Sequence, residues 1–520
     1  MRSAGPATPK RATDPVSTLD VPVESERRVA VPPFARGPVL AIAGAVAVAL
    51  LAVIGRFGYF GDELYFLATG RYHWSWGYAD NPWLLPGLAR LLDTAFPGSV
   101  VAFRILPMLL TCGGVVLAAL IAREFGGARK AQVLTAGAYA LSLHLLGSGH
   151  LLATSTVDPF CWTLVSWLIV RWLRTGSDRL LLCAGLVSAV AMQGKWLIVF
   201  FWLALAAGAL IAGPRRLLSR PALAAGGAIT VLATVPALLW QVDNGWPYFL
   251  MQQVTAEQNS RMFGGQAAMI PFALVASGLF VGAFLACHGL YALLRTPQLS
   301  RYRLLGLTVV FVTLAFLVVA SRYYYVAGLY AVLFAASAVT IERRGPARWW
   351  RWVPTWPVYA VSVPLMIYLA LPVRPATGFT GVGLVDFVAS GSYGWPQLAD
   401  TAAAAYRGLP PADRDRTAVM GDSYWQASAL DVYGRERGLP RAYGPERGYW
   451  YTGRPPDETT QVLYVGGDAV WLRGFFGEVR QVSVVRLDID ADVANQNVPV
   501  WLCGKPSDPW PTLWERMHRP

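Results

Sequence analysis

Residues 37–65 read GPVLAIAGAVAVALLAVIGRFGYFGDELY. The stretch 38–56 is almost wholly apolar, and as a helix it is long enough to cross a bilayer core of roughly 30 Å. The run then stops, and Asp62 and Glu63 follow directly after Gly61. Two adjacent carboxylates at a membrane mouth are costly unless solvated or used. An apolar span that empties onto an acidic loop sets the first expectation, a polytopic α-helical membrane protein.

The rest of the chain repeats that pattern. Of its 520 residues 55% are hydrophobic and 14% charged, against about 25% charged in a soluble domain. Eleven spans are predicted, at 38–56, 101–121, 131–149, 157–173, 179–193, 196–213, 222–241, 271–294, 303–320, 324–341 and 353–372. The net charge of +13 is nearly all arginine. Arginines crowd alternate connections, as at Arg215, Arg216 and Arg220, or Arg343, Arg344, Arg348 and Arg351. That spacing reads as topology rather than as a nucleic-acid surface. The positive-inside rule then places the N-terminus in the cytoplasm. An odd number of spans leaves the C-terminus outside the cell membrane.

Three regions are expected. Residues 1–36 form a disordered cytoplasmic tail, polar and rich in proline. Residues 37–375 form the transmembrane module, with a long outer loop at 57–100. Residues 376–520 lose the spanning runs and read as an extracytoplasmic soluble α/β domain. Strands are predicted there at 417–420, 461–465 and 481–487, with a helix over 424–436. The five cysteines form no CxxC pair, so no disulfide framework or cysteine metal site is read.

Candidate chemistry collects on the outer side. Asp62 either caps a short helix running to about Tyr72 or works at the mouth. Asp158, in Thr156-Val157-Asp158-Pro159, has the look of a helix N-cap followed by proline at the first helical position. Its other reading is a functional carboxylate. Lys195 lies between spans five and six, in a chain with only four lysines. It is either a snorkelling side chain or a point charge for a phosphate. Arg322, before Tyr323-Tyr324-Tyr325, is on the wrong side for a topology signal and suits bidentate phosphate binding. The tyrosines also fit an interfacial aromatic belt. His150 reads as a hydrogen-bonding interface residue. Asp422 and Trp425 read as fold residues of the outer domain. The amphipathic stretch 84–96 suits a helix lying in the interface.

With these residues in order, the chain resembles the GT-C glycosyltransferases. It is most similar to the bacterial branch related to protein O-mannosyltransferases and the lipid A aminoarabinose transferase. The matching stretches are Gly61-Asp62-Glu63-Leu64-Tyr65, Tyr78-Ala79-Asp80-Asn81-Pro82, Thr156-Val157-Asp158-Pro159, Gly194-Lys195 and Ser321-Arg322-Tyr323-Tyr324-Tyr325. The resemblance implies a polyprenyl-phosphate sugar donor and a lipid, glycan or protein acceptor, with no nucleic acid. It implies Asp62, Asp158 and Glu63 as catalytic candidates, and Lys195 and Arg322 at the donor phosphate. Tyr65, Asp80, His150 and Tyr324 are the substrate-contact candidates. The aminoarabinose branch has Glu-Lys where this chain has Asp80-Asn81, and many relatives have Lys-Pro where it has Ser321-Arg322. No cofactor is assigned, and a divalent cation is carried as an option held by these acids. The chemistry expected is an inverting single displacement. The rival reading is a transporter or flippase of lipid-linked sugars. Transporters, however, place polar residues at mid-membrane and show internal repeats, whereas here the polar residues gather at one face.

Overall fold

The computed structural model describes residues 1, 5, 31–375, 384–489, 491 and 493–520. Most of the expected disordered tail lies outside the described residues, as does the stretch 376–383 that follows the expected domain boundary.

The first part of the chain is helical: α1 Arg36–Leu51, α2 Gly61–Tyr72, α3 Leu84–Ala95, α4 Val100–Glu124, α5 Arg129–Ala140, α6 Leu143–Ser148, α7 Thr154–Thr175 and α8 Arg179–Gly194. It continues through α9 Ile198–Ala212, α10 Pro221–Asp243, α11 Pro247–Phe263, α12 Gly265–Ala276, α13 Leu279–Arg295, α14 Arg303–Val318, α15 Tyr330–Arg344 and α16 Trp356–Ala370. By length and composition four helical segments can cross a membrane: Val100–Glu124, Pro221–Asp243, Pro297–Val318 and Tyr323–Arg344. A fifth is the bent pair α12 and α13, and four shorter apolar helices accompany them. Each predicted run falls on helix, but not each on one straight rod.

Two of the runs are broken, and the breaks meet. The run expected at 271–294 bends by 106° between α12 and α13, where Gly278 takes φ +128° and Leu279 φ +50°. The run expected at 131–149 breaks between α5 and α6 at Leu141 and Ser142. A broken helix away from water leaves carbonyls that must find donors. The Ser142 hydroxyl supplies one, donating to the Ala276 carbonyl at 2.9 Å. A side chain on Gly278 would come 2.9 Å from the Leu141 carbonyl oxygen, so glycine is what lets the breaks touch.

The C-terminal part forms a five-stranded sheet of β1 Thr417–Gly421, β2 Ala442–Tyr443, β3 Gln461–Val465, β4 Phe476–Val485 and β5 Val498–Pro506. The spatial order is β2-β1-β3-β5-β4. The β1 pairings with β2 and β3 are parallel, and β5 runs antiparallel to both β3 and β4. Trp510, Leu513, Trp514 and Met517 bury one face against Met420, Tyr464 and Phe476. The helix expected over 424–436 is shorter. It is α-helical at Tyr424–Ala429, then widens to a π turn over Leu430–Gly434. This sheet domain is not a loose appendage. The buried residues of its other face, Val419, Leu463 and Val465 among them, join those of the helical module in one apolar cluster.

Candidate active site

The site starts from a buried ion pair. Glu63, third residue of α2, is fully buried. It accepts from the Phe60 N–H at 2.9 Å and from the Leu152 N–H at 3.0 Å. Arg104 of α4 meets it at 2.7 Å and also donates to the carbonyls of Ile54, Phe57 and Gly58. Glu63 therefore ties together the turn after α1, the start of α2 and the segment entering α7. Its oxygens are used up in that tie.

Asp62, its neighbour, is half-buried and faces elsewhere. Phe60 takes the cap position, so Asp62 stands inside the first turn. Its Oδ1 accepts from the Tyr424 hydroxyl at 2.6 Å and from Trp425 Nε1 at 2.8 Å. Both donors come from the C-terminal domain. Among the described residues no donor meets Oδ2. Trp425, expected to be a fold residue, is thus a direct partner of the foremost candidate acid. Asp422 accepts from Tyr464 at 2.8 Å and Arg519 at 2.7 Å, inside its own domain.

Asp158 is not a helix cap. Ala153 holds that position, and Asp158 lies more than a turn inside α7. It is buried, and its Oδ1 has no hydrogen-bond partner. It lines a small cavity with Lys195, Thr154, Ser155, Tyr324 and Tyr325. Lys195 leaves α8 in extended backbone, which swings it off the helix axis. Its Nζ donates to the Tyr325 hydroxyl at 2.5 Å and lies 4.6 Å from that ring's centroid. Tyr324 stacks on His144 at 4.7 Å.

Asp80 sits in a tight loop closed by the Gly77–Pro82 bridge. Gln241 of α10 holds that loop through the Tyr78 carbonyl at 3.0 Å. Burial pushes the Asp80 carboxyl above the usual range; Arg447 pulls it down, Asp62 adds to the rise, and Lys195 opposes it. All three charges therefore bear on one spot. Tyr65 reaches Asp80 with a long contact of 3.5 Å.

Of the candidates, Asp158, Lys195 and Tyr324 line the cavity, and Asp62, Glu63, Tyr65, Asp80, Arg322 and His150 do not. Arg322 donates to Gln258 at 2.7 Å and leans on Phe263, and it does not line the cavity. His150 is buried, with Nδ1 unpartnered, and is also absent from the lining. Arg447 was not foreseen. It has φ +50°, a strained value for a non-glycine residue. Its guanidinium lies over Tyr424 at 4.9 Å. Burial works against its charge, but Tyr424, Glu446, Asp80 and Asp62 outweigh that and push its pKa up.

The acids do not assemble as a cation cage. Glu63 is saturated, and Asp62 Oδ1 already takes two donors. Among the described residues no group of three or more His, Cys, Asp or Glu side chains could hold a metal ion.

The comparisons agree with this architecture. The profile of the dolichyl-phosphate-mannose-protein mannosyltransferase family matches residues 80–240. ArnT from Cupriavidus metallidurans, in the crystal structure bound to undecaprenyl phosphate, superposes with a TM-score of 0.58 at 16% identity, over 89% of this chain and 97% of ArnT. The fold is that of the GT-C glycosyltransferases. The apo state of the same ArnT gives a TM-score of 0.59 at 13% identity, over 94% of this chain and 100% of that one. No curated protein matches the sequence. At these identities the likeness extends to the GT-C fold, and the side-chain geometry above is this chain's own.

Proposed function

We propose that the chain is an integral membrane glycosyltransferase. It moves a sugar from a polyprenyl-phosphate donor to an acceptor hydroxyl at the outer face of the membrane. The observation that carries the reading is the pairing of Asp158 with Lys195 in one cavity; Asp62, whose Oδ2 meets no donor among the described residues, lies outside that lining, and its charge and that of Lys195 both bear on Asp80.

The chemistry follows from those groups. The acceptor oxygen attacks the anomeric carbon and gives its proton to Asp62 Oδ2, a general base. The bond from that carbon to the phosphate oxygen breaks, and its electron pair leaves with the lipid phosphate. Lys195 Nζ stabilises that growing charge. Asp158 orients the acceptor. One displacement inverts the anomeric centre. Glu63 is assigned a positioning part through Arg104. Arg322 is a second-line cation, turned towards α11.

The donor's tail has a matching surface. An apolar cavity of about 570 Å³ lies between α8, α9 and α10, and its lining includes Trp196, next in sequence to Lys195. Leu84 and Leu85 of α3 pack beside Gly194, just before Lys195.

The test is Asp62→Asn in purified protein, given lipid extract containing polyprenyl-phosphate sugars. Transfer is expected to fall by about a hundredfold or more. A near wild-type rate removes Asp62 from the base role. Movement of the donor across vesicles with no new glycosidic bond would favour the transporter instead.

A further inference from the structure

The helix Tyr424–Ala429 is built to present its first two side chains. Ser423 caps it, accepting from the Gln426 N–H at 3.2 Å, while Gln426 accepts from the Ser423 N–H at 3.0 Å. Glu446 accepts from the Tyr424 N–H at 2.9 Å. The Trp425 indole is boxed by Phe60 at 5.0 Å, Phe387 at 5.9 Å and Trp395 at 6.4 Å. It rests directly on Gly61, where an added side-chain carbon would come 2.1 Å from the ring. The absence of a side chain at Gly61 is therefore what admits the indole beside Asp62. Burial and the charge of Asp62 push the Tyr424 hydroxyl well above its ordinary pKa, so it remains a donor. Arg447 over its ring holds the phenol in place.

Among the described residues two donors converge on one oxygen of Asp62 and none on the other. A carboxylate without such partners rotates and offers either oxygen. We propose that the C-terminal domain is a working part of the reaction site, with Tyr424 and Trp425 as positioning residues that fix Asp62 Oδ1 and aim Oδ2 at the incoming hydroxyl. The proposal rests on the reading of Asp62 as the base. It gives the domain a task beyond capping the fold. It also gives the half-buried, strained Arg447 a task beside Tyr424.

Two measurements on the full-length protein test it separately. The first needs no substrate. In an indole N–H spectrum of the protein in detergent, Trp425→Phe identifies the Trp425 signal. Asp62→Ala should move that signal as its hydrogen bond is lost. A stationary signal overturns the contact. The second is kinetic. Tyr424→Phe and Trp425→Phe should each lower kcat about tenfold to a hundredfold, with KM for the donor little changed. In an Asp62→Asn background, Tyr424→Phe should add almost nothing, because the residue acts through Asp62. An equal loss in both backgrounds makes Tyr424 structural and overturns the proposal. Full activity in Asp62→Asn alone sinks the base reading instead, with the indole contact still measurable.

Discussion

Lys195 is the ammonium that lines the cavity with Asp158, and among the described residues its Nζ holds a single hydrogen bond, to Tyr325. Lys195→Ala is expected to cut transfer by roughly a hundred- to a thousandfold, the usual cost of removing one group that stabilises developing charge. Initial rates at saturating donor check this, and an undiminished rate would reject the role. Scarcity made this residue legible, since a chain that avoids lysine places one between two apolar runs. Asp158 was legible as a candidate but not as a choice between roles. The sequence Asp-Pro imitates a helix start, and only the observed start at Thr154 sets that aside. Trp425 was illegible because its partner lies 363 positions away. No local pattern couples them. The one trace is Gly61, whose bareness has meaning only once the indole is seen.

Helices were easy to find and their interruptions were not. Apolar periodicity marks where a span lies, but a single Ser142 or Gly278 inside a run carries too little weight to predict a break. Close crossings are equally silent. At the crossing of α8 and α10, a side chain on Gly185 would come 2.3 Å from the Gly226 Cα. The Thr230 hydroxyl donates across the same gap to the Gly185 carbonyl at 3.0 Å. Small residues let membrane helices approach this closely. Gly185→Leu should therefore wedge the pair apart and cost about 1–3 kcal/mol, as overpacking does. It should also misshape the cavity assigned to the donor tail. The expected result is a lower Tm in detergent together with a raised KM for the lipid donor. A normal Tm and KM would show that the crossing tolerates the bulk.

At the scale of the molecule, the two halves are pinned by a buried carboxylate. Asp431 takes His73 Nε2 at 2.6 Å, Arg435 at 3.0 Å, the Ala442 N–H at 3.0 Å and the Tyr449 hydroxyl. His73 ends α2, while the other partners belong to the C-terminal domain. Burial alone would push the Asp431 carboxyl up; His73, the Ala442 N–H and Tyr449 outweigh it and hold it below the ordinary range. A carboxyl lowered in the folded state stabilises the fold above the ordinary carboxylate range. That contribution is lost as the pH falls through the folded value. Acid should therefore loosen the junction, and Asp431→Asn should weaken it even at neutral pH. Hydrogen exchange over 61–73 and 424–450, followed against pH, reads this directly. Protection unchanged by acid would show that other contacts carry the junction. The sheet domain itself was partly legible. Two of the three predicted strands lie within β1 and β3, and the third overlaps β4 and runs past its end. Its docking on α2 was not legible, because that depends on side chains such as His73 whose partners are remote.

The reach from Asp62 to Trp425 also fixes an order of events during synthesis. Every helix of the bundle leaves the ribosome before the indole and phenol that grip the acid have been made. A product stopped short of Tyr424 would carry its acid ungripped. On this layout the grip on the acid is completed only after the whole helical bundle has been made.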